Sequence, residues 1–144
     1  MSPVMQRKVS RDIPLSEITL RKFEKPYGDE EEIIRKFCIS IGLLQPADSR
    51  DLIVTILSEL LNARKRRIYL STEEIQERAD GSKPNIRRHL RKMVTIGLVE
   101  KIENRYRIRE FMSLSEILTE YIKPFVIEPA FSRILEYSKA LDSL

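Results

Sequence analysis

Lys83, Arg87, Arg88, Arg91 and Lys92 put five cations into one short stretch of this 144-residue chain, with no acidic residue among them. Turned as a helix at about 100° per residue, Ile86, Leu90, Met93 and Val94 collect on one side, with His89 at their edge. Pro84, Arg88, Arg91, Lys92 and Thr95 collect on the other, flanked by Asn85 and Arg87. A solvated helix ordinarily mixes charge signs, as Thr72–Ala79 does with Glu73, Glu74, Glu77 and Arg78. A one-sign face repels itself, and a polyanionic partner is the natural reason for keeping it. Arginine suits the O6/N7 edge of guanine and asparagine the N6/N7 edge of adenine. Ser82, Lys83, Asn85 and Arg87 or Arg88 lie at the start of the stretch, the part of such a helix that approaches base edges. Downstream, Lys101 and then Arg105, Arg107 and Arg109 add cations of the kind that meet sugar–phosphate. Strand alternation puts these three arginines on one face and Tyr106 and Ile108 on the other. Arg64-Lys65-Arg66-Arg67 is a further cluster, equally explained as a helix C-terminus that favours cations.

Other chemistries lack their residues. The single histidine, His89, and the single cysteine, Cys38, belong to different segments, so no nucleophile–base pair is expected. The four glycines are isolated and form no phosphate loop. Glu30, Glu31 and Glu32 read as helix-start acids rather than a metal site. Cys38, among Phe37, Ile39 and Ile41, reads as a buried inert thiol, and His89 as a packing residue. The expectation is a non-enzyme without cofactor or metal.

Length and composition bound the rest. Hydrophobic residues at 42% and charged residues at 33% argue against disorder and for one domain with appended helices. The net charge of +4 and pI near 9.3 make nucleic acid the first partner to consider, with distribution deciding more than sum. One cysteine excludes a disulfide framework and fits a reducing compartment. No apolar run approaches the roughly 18 residues of a membrane span, and Met1–Lys8 lacks the apolar segment of a secretory leader. A cytoplasmic location with no membrane contact is therefore expected.

The elements that must position the basic face read as follows. Residues 1–28 form an arm punctuated by Pro14, Pro26 and Gly28. Asp29 caps a helix to about Ile41, and a connection follows with Asp48 or Ser49 as the next cap. Leu52, Ile53, Ile56, Leu57, Leu60 and Leu61 mark a well-buried helix from Arg50 to about Arg64. Ile68–Leu70 is short enough for a small strand, and Ser71 with Glu74 forms a capping box for a helix ending near Ala79. Ser82 caps the basic helix, which runs to about Ile96 and stops at Gly97. "LVEKIENRYRI" alternates around Glu103-Asn104 as a hairpin. Ser113 and Glu116 start a helix expected to reach Tyr121 or Ile122 before Lys123-Pro124, and a final helix covers about Pro129–Leu141. Leu15-Ser16-Glu17-Ile18 repeats as Leu114-Ser115-Glu116-Ile117, read as helix-start chemistry twice.

From 50 to 108 the order is helix, strand, helix, turn, helix, hairpin, the plan of a winged helix-turn-helix. The expected fold is mostly α with a small β wing. Its divisions are an arm (1–28), an N-terminal helix and connection (29–48), the winged helix (49–110) and C-terminal helices (111–144). "SKPNIRRHL", "GLVEK" and "NRYRI" resemble the recognition helix and wing of prokaryotic winged-helix transcription regulators of the ArsR and MarR type, archaeal in style, over about Leu52–Ile108. The resemblance implies that Lys83, Asn85, Arg87, Arg88 and Arg91 face DNA. Two departures stand out: Ala79-Asp80-Gly81 replaces the usual Leu-Gly-Leu before the cap serine, and the metal-sensing cysteine motif is absent.

The expectation is a homodimeric, sequence-specific regulator of double-stranded DNA. Helix 82–96 would enter the major groove and wing 98–108 would lie on the backbone, through Ser82, Lys83, Asn85, Arg87, Arg88, Arg91, Lys92, Lys101, Arg105 and Arg107. Leu114, Ile117, Leu118, Tyr121, Phe125, Phe131, Ile134 and Leu135 supply more apolar surface than a winged helix needs, and dimerisation is expected there. The alternative is a winged helix used as a protein–protein module in a transcription, replication or RNA-processing complex.

Overall fold

The computed structural model describes residues 12–48 and 50–144, so the basic start of the arm and the capping role offered to Ser49 lie outside the described residues. The chain runs α1 (Glu30–Ser40), α2 (Leu52–Lys65), β1 (Leu70–Ser71), α3 (Thr72–Gln76), α4 (Lys83–Thr95), β2 (Val99–Ile102) and β3 (Arg105–Ile108). A 3₁₀ turn (Arg109–Phe111) leads into α5 (Leu114–Ile117), a π-helical segment (Leu118–Ile127) and α6 (Glu128–Asp142). The protein is thus mostly helical with one small antiparallel sheet of order β1-β3-β2.

The local chemistry of the helix starts works as expected. The Asp29 carboxylate accepts from Glu32 N–H at 2.9 Å, and Ser71 and Glu74 complete a reciprocal capping box. The Ser82 and Ser113 hydroxyls accept from Asn85 and Glu116 N–H. The turn between β2 and β3 places Glu103 and Asn104 at φ 50° and 65°. Two left-handed residues in a row make the twist that a tight hairpin needs. Its register pairs Val99 with Ile108 and Lys101 with Tyr106.

Apolar burial then locks the elements together. Ile53, Ile56, Leu57 and Leu60 of α2 pack with Ile75 of α3, Ile86, Leu90 and Met93 of α4, and Leu98 and Ile108 of the hairpin, all essentially inaccessible to water. Ile34 and Cys38 bring α1 onto α2, and Ile117 and Ile122 bring the C-terminal helix onto the same core.

Four expectations are corrected. The cap of α2 is Asp51, not Asp48. Its carboxylate makes no cap bond because it is held 2.6 Å from the Arg35 guanidinium, while Asp48 accepts from Arg50 N–H. α3 ends at Gln76, short of Ala79. Leu15–Ile18 forms no helix, whereas Leu114–Ile117 does, so the repeated tetrapeptide is no structural repeat. The stretch before α1 is instead tied to the end of that helix, with Arg21 N–H donating to Ser40 O at 2.8 Å and its guanidinium to Ile39 O at 2.9 Å. The helix that starts at Leu114 does not stop before Pro124. Helical backbone continues to Asp142, and the segment around Pro124 is wound wider. A proline ring clashes with the carbonyl four residues back in an α-helix, and a π-helical turn gives it room.

Gly97 (φ +91°) sits where α4, β2 and the C-terminal helix meet, and a methyl group there would stand 2.4 Å from the Tyr121 ring. Both the left-handed backbone and the contact resist substitution. Gly97→Ala is expected to lower unfolding stability by about 1–3 kcal/mol from the backbone alone, measured by urea titration against wild type.

Candidate nucleic-acid interface

Burial of Ile86, Leu90 and Met93 rolls α4 so that its basic residues face outward. Ser82, Asn85, Arg87, Arg88, Arg91 and Lys92 are exposed, and Lys83 is partly so. Arg87, Arg91 and Val94 form one wall of a groove of about 580 Å³. Lys101, Asn104 and Tyr106 of the hairpin form the facing wall, and Thr72 and Glu73 close one end. Three cations from two elements thus converge on one concave surface. On the opposite flank of α4, Asn85 and Arg88 line a smaller hollow with Asp48, Arg50 and Leu52.

An acid also reaches this surface. Glu73 Oε1 lies 3.4 Å from Lys83 Nζ. Its own backbone N–H and then Lys83 hold the Glu73 carboxyl below its ordinary range. Such an exposed pair is weak, because water and salt screen it. The basic run contains no acid of its own, and the acid arrives from the neighbouring helix instead.

The hairpin arginines divide. Cross-strand pairing places Lys101 beside Tyr106 and Arg105 beside Ile102, on opposite faces. Lys101 therefore turns to α4, and Arg105 is exposed on the other side. Arg107 does not join an open stripe: its side chain is only 17% exposed and lies 3.5 Å from Glu100. The guanidinium stacks 5.2 Å from the Tyr69 ring centre and 4.9 Å from that of Phe111. Arg109 stacks 3.7 Å above Tyr121 and donates to Gly97 O at 2.7 Å. Alternation along β3 assigned the face correctly, and aromatic residues from outside the hairpin cover it. Tyr69 and Phe111, at the two ends of the strand set, were the signal available in the sequence. Of the basic run Arg64–Arg67, Arg64 reaches back to Met112 O at 3.4 Å, and the other three are exposed. Asn104, a turn residue by sequence, is a groove residue in the fold.

Cys38 is fully buried, and burial pushes its thiol up to about 12. His89 is 8% exposed, and among the described residues its buried Nδ1 has no hydrogen-bond partner. Burial first, then Arg88 and Lys92, bring its pKa down from 6.5 to about 4. Among the described residues no group of three His, Cys, Asp or Glu side chains could hold a metal ion, and no helix is long and apolar enough to cross a membrane. No protein-family model matches the chain, and neither curated proteins nor solved structures give a match.

His89 makes stability depend on pH with a definite sign. The unfolded chain takes up the proton near pH 6.5 and the folded one only near 4. The folded state therefore holds this contribution above pH 6.5 and loses it as pH falls through that window. At about 1.4 kcal/mol per pH unit the loss is on the order of 2–3 kcal/mol. Unfolding of wild type and His89→Met followed from pH 7 to 4 should show the variant losing less stability than wild type by about that amount.

Proposed function

We propose that residues 52–108 form a winged helix-turn-helix that binds double-stranded DNA, and that the protein is a sequence-specific transcription regulator acting as a homodimer. In this reading α4 is the recognition helix and the β2–β3 hairpin the wing. The observation that carries it is the convergence of Arg87 and Arg91 with Lys101 across one groove, with Arg88 and Lys92 exposed elsewhere on the same helix. A groove lined by three cations against the single acid Glu73 at its end carries a net positive field that favours a polyanion. The geometry suits a duplex: a helix enters the major groove while the hairpin beside it meets sugar–phosphate. Asn85, Arg87 and Arg88 carry the donors and acceptors for base edges, and Lys101 takes the backbone role with Arg105 at the rim. Arg107 has a structural role, holding Tyr69 and Phe111 together. The exposed apolar C-terminal helix supports the dimer, which doubles the contact length and sets two half-sites.

The second reading, a winged helix that docks on another protein, draws support from Glu73 at the groove's end and from the same apolar helix. Duplex binding separates the two. Arg88→Ala with Arg91→Ala should weaken binding to a labelled duplex by at least ~10-fold, since each charge-assisted contact contributes about 1.5–3 kcal/mol, with thermal stability unchanged. Glu73→Gln should tighten binding by releasing Lys83. Fluorescence anisotropy reads both. Equal affinity for the double variant and wild type would refute the assignment, and a collapse of stability in that variant would show that α4 is turned the other way.

A further inference from the structure

We infer that α6 pairs antiparallel with α6 of a second copy of this chain, centred on Ile134 and Tyr137. This rests on the homodimer part of the proposed function and is independent of DNA binding. α6 has no buried residue, and it runs on without a break from the π-helical segment before it. At 15 residues it is about 22 Å of helix. As the free end of a helix continuous from Leu114, it lacks the tertiary packing from which helices in proteins draw most of their stability. Its outward surface is nonetheless apolar: Phe131, Ile134, Tyr137 and Leu141 are 60%, 62%, 70% and 66% exposed.

The spacing says what covers this surface. Within α6, Ala130, Ile134, Tyr137 and Leu141 follow one another at intervals of four, three and four, the spacing of the a and d positions of a two-stranded coiled coil. No charged residue lies in the seam. Arg133 is beside it and is already paired with Glu136 at 2.6 Å. A charged partner therefore finds nothing to neutralise along this line, whereas an identical helix finds its own complement. Aromatic side chains bury roughly 150–250 Å² each when fully covered. Covering Phe131 and Tyr137 thus removes at most on the order of 300–500 Å² per copy, about half of the roughly 800 Å² of an ordinary stable interface, and Ile134 and Leu141 add to it.

Residue volumes choose the direction. Parallel pairing sets each residue against itself, leaving a gap at Ala130 and crowding at Tyr137. Antiparallel pairing sets Ile134 against Tyr137 and Ala130 against Leu141 of the second copy, so the smaller residue faces the larger in each layer. It also sets the helix dipoles head to tail.

Cysteine cross-linking of the full chain, without DNA, tests this. Cys38 is buried and stays in place. Ala130→Cys mixed with Leu141→Cys should give a disulfide-linked dimer on mild oxidation, because a disulfide needs Cα atoms within about 7 Å. Each variant alone should not, since its two cysteines would stand about 16 Å apart along the pair. Ile134→Glu should shift the protein from dimer to monomer in sedimentation velocity, while circular dichroism keeps the signal of the core helices and loses at most the contribution of α6. A wild-type monomer at tens of micromolar would overturn the inference, and so would self-linking of Ala130→Cys. A dimer that ignores duplex DNA would leave the pairing standing and remove the DNA reading, whereas DNA binding by a monomer would do the reverse.

Discussion

Everything on the candidate surface depends on how α4 is rolled, and α2 decides that. Ile86, Leu90 and Met93 are fully buried in the core that Ile53, Ile56, Leu57 and Leu60 build. Burying each such side chain contributes roughly 1.5–3 kcal/mol. Turning α4 by half a turn would expose all three and drive Arg88 and Arg91 into the core, at several kcal/mol per desolvated ion. The roll is therefore held by two large terms of the same sign. The basic face points outward as a consequence of packing.

The hairpin and the C-terminal helix are set by the same junction. Gly97 ends α4 in a conformation open to glycine, and its carbonyl accepts from Arg109. Arg109 in turn lies flat on Tyr121 of the helix that leads to α6. Arg107, between Tyr69 and Phe111, fixes the outer face of the sheet. Two arginines that resemble ligand contacts in the one-dimensional pattern thus hold the proposed wing against the body. In the proposed complex, meeting the anion would fall to Arg87, Arg91 and Lys101.

Much of this was legible in the residues. Capping at Asp29, Ser71, Ser82 and Ser113, the stop at Gly97 and the turn at Glu103-Asn104 are local, since each rests on a side chain bonding its own backbone neighbourhood. The apolar stripes of α2 and α4 follow from a single period. What escaped was non-local. Asp51 is taken by Arg35 of another helix, and Arg107 is covered from both ends of the chain segment. Glu73 reaches Lys83 across a turn. Pro124 was misleading for a different reason: proline ends an α-helix, and a locally widened helix accommodates it.

The central claim is that the outward face of α4 and its groove bind a polyanionic duplex. Its most direct test is the salt dependence of the full chain's affinity for a random-sequence duplex, measured by fluorescence anisotropy. Each phosphate neutralised contributes a slope of about −0.9 to log K against log[salt]. Three to five contacts per protomer from α4 and Lys101, made twice by the dimer, predict a slope of roughly −5 to −9. No binding even at the lowest salt would contradict the account.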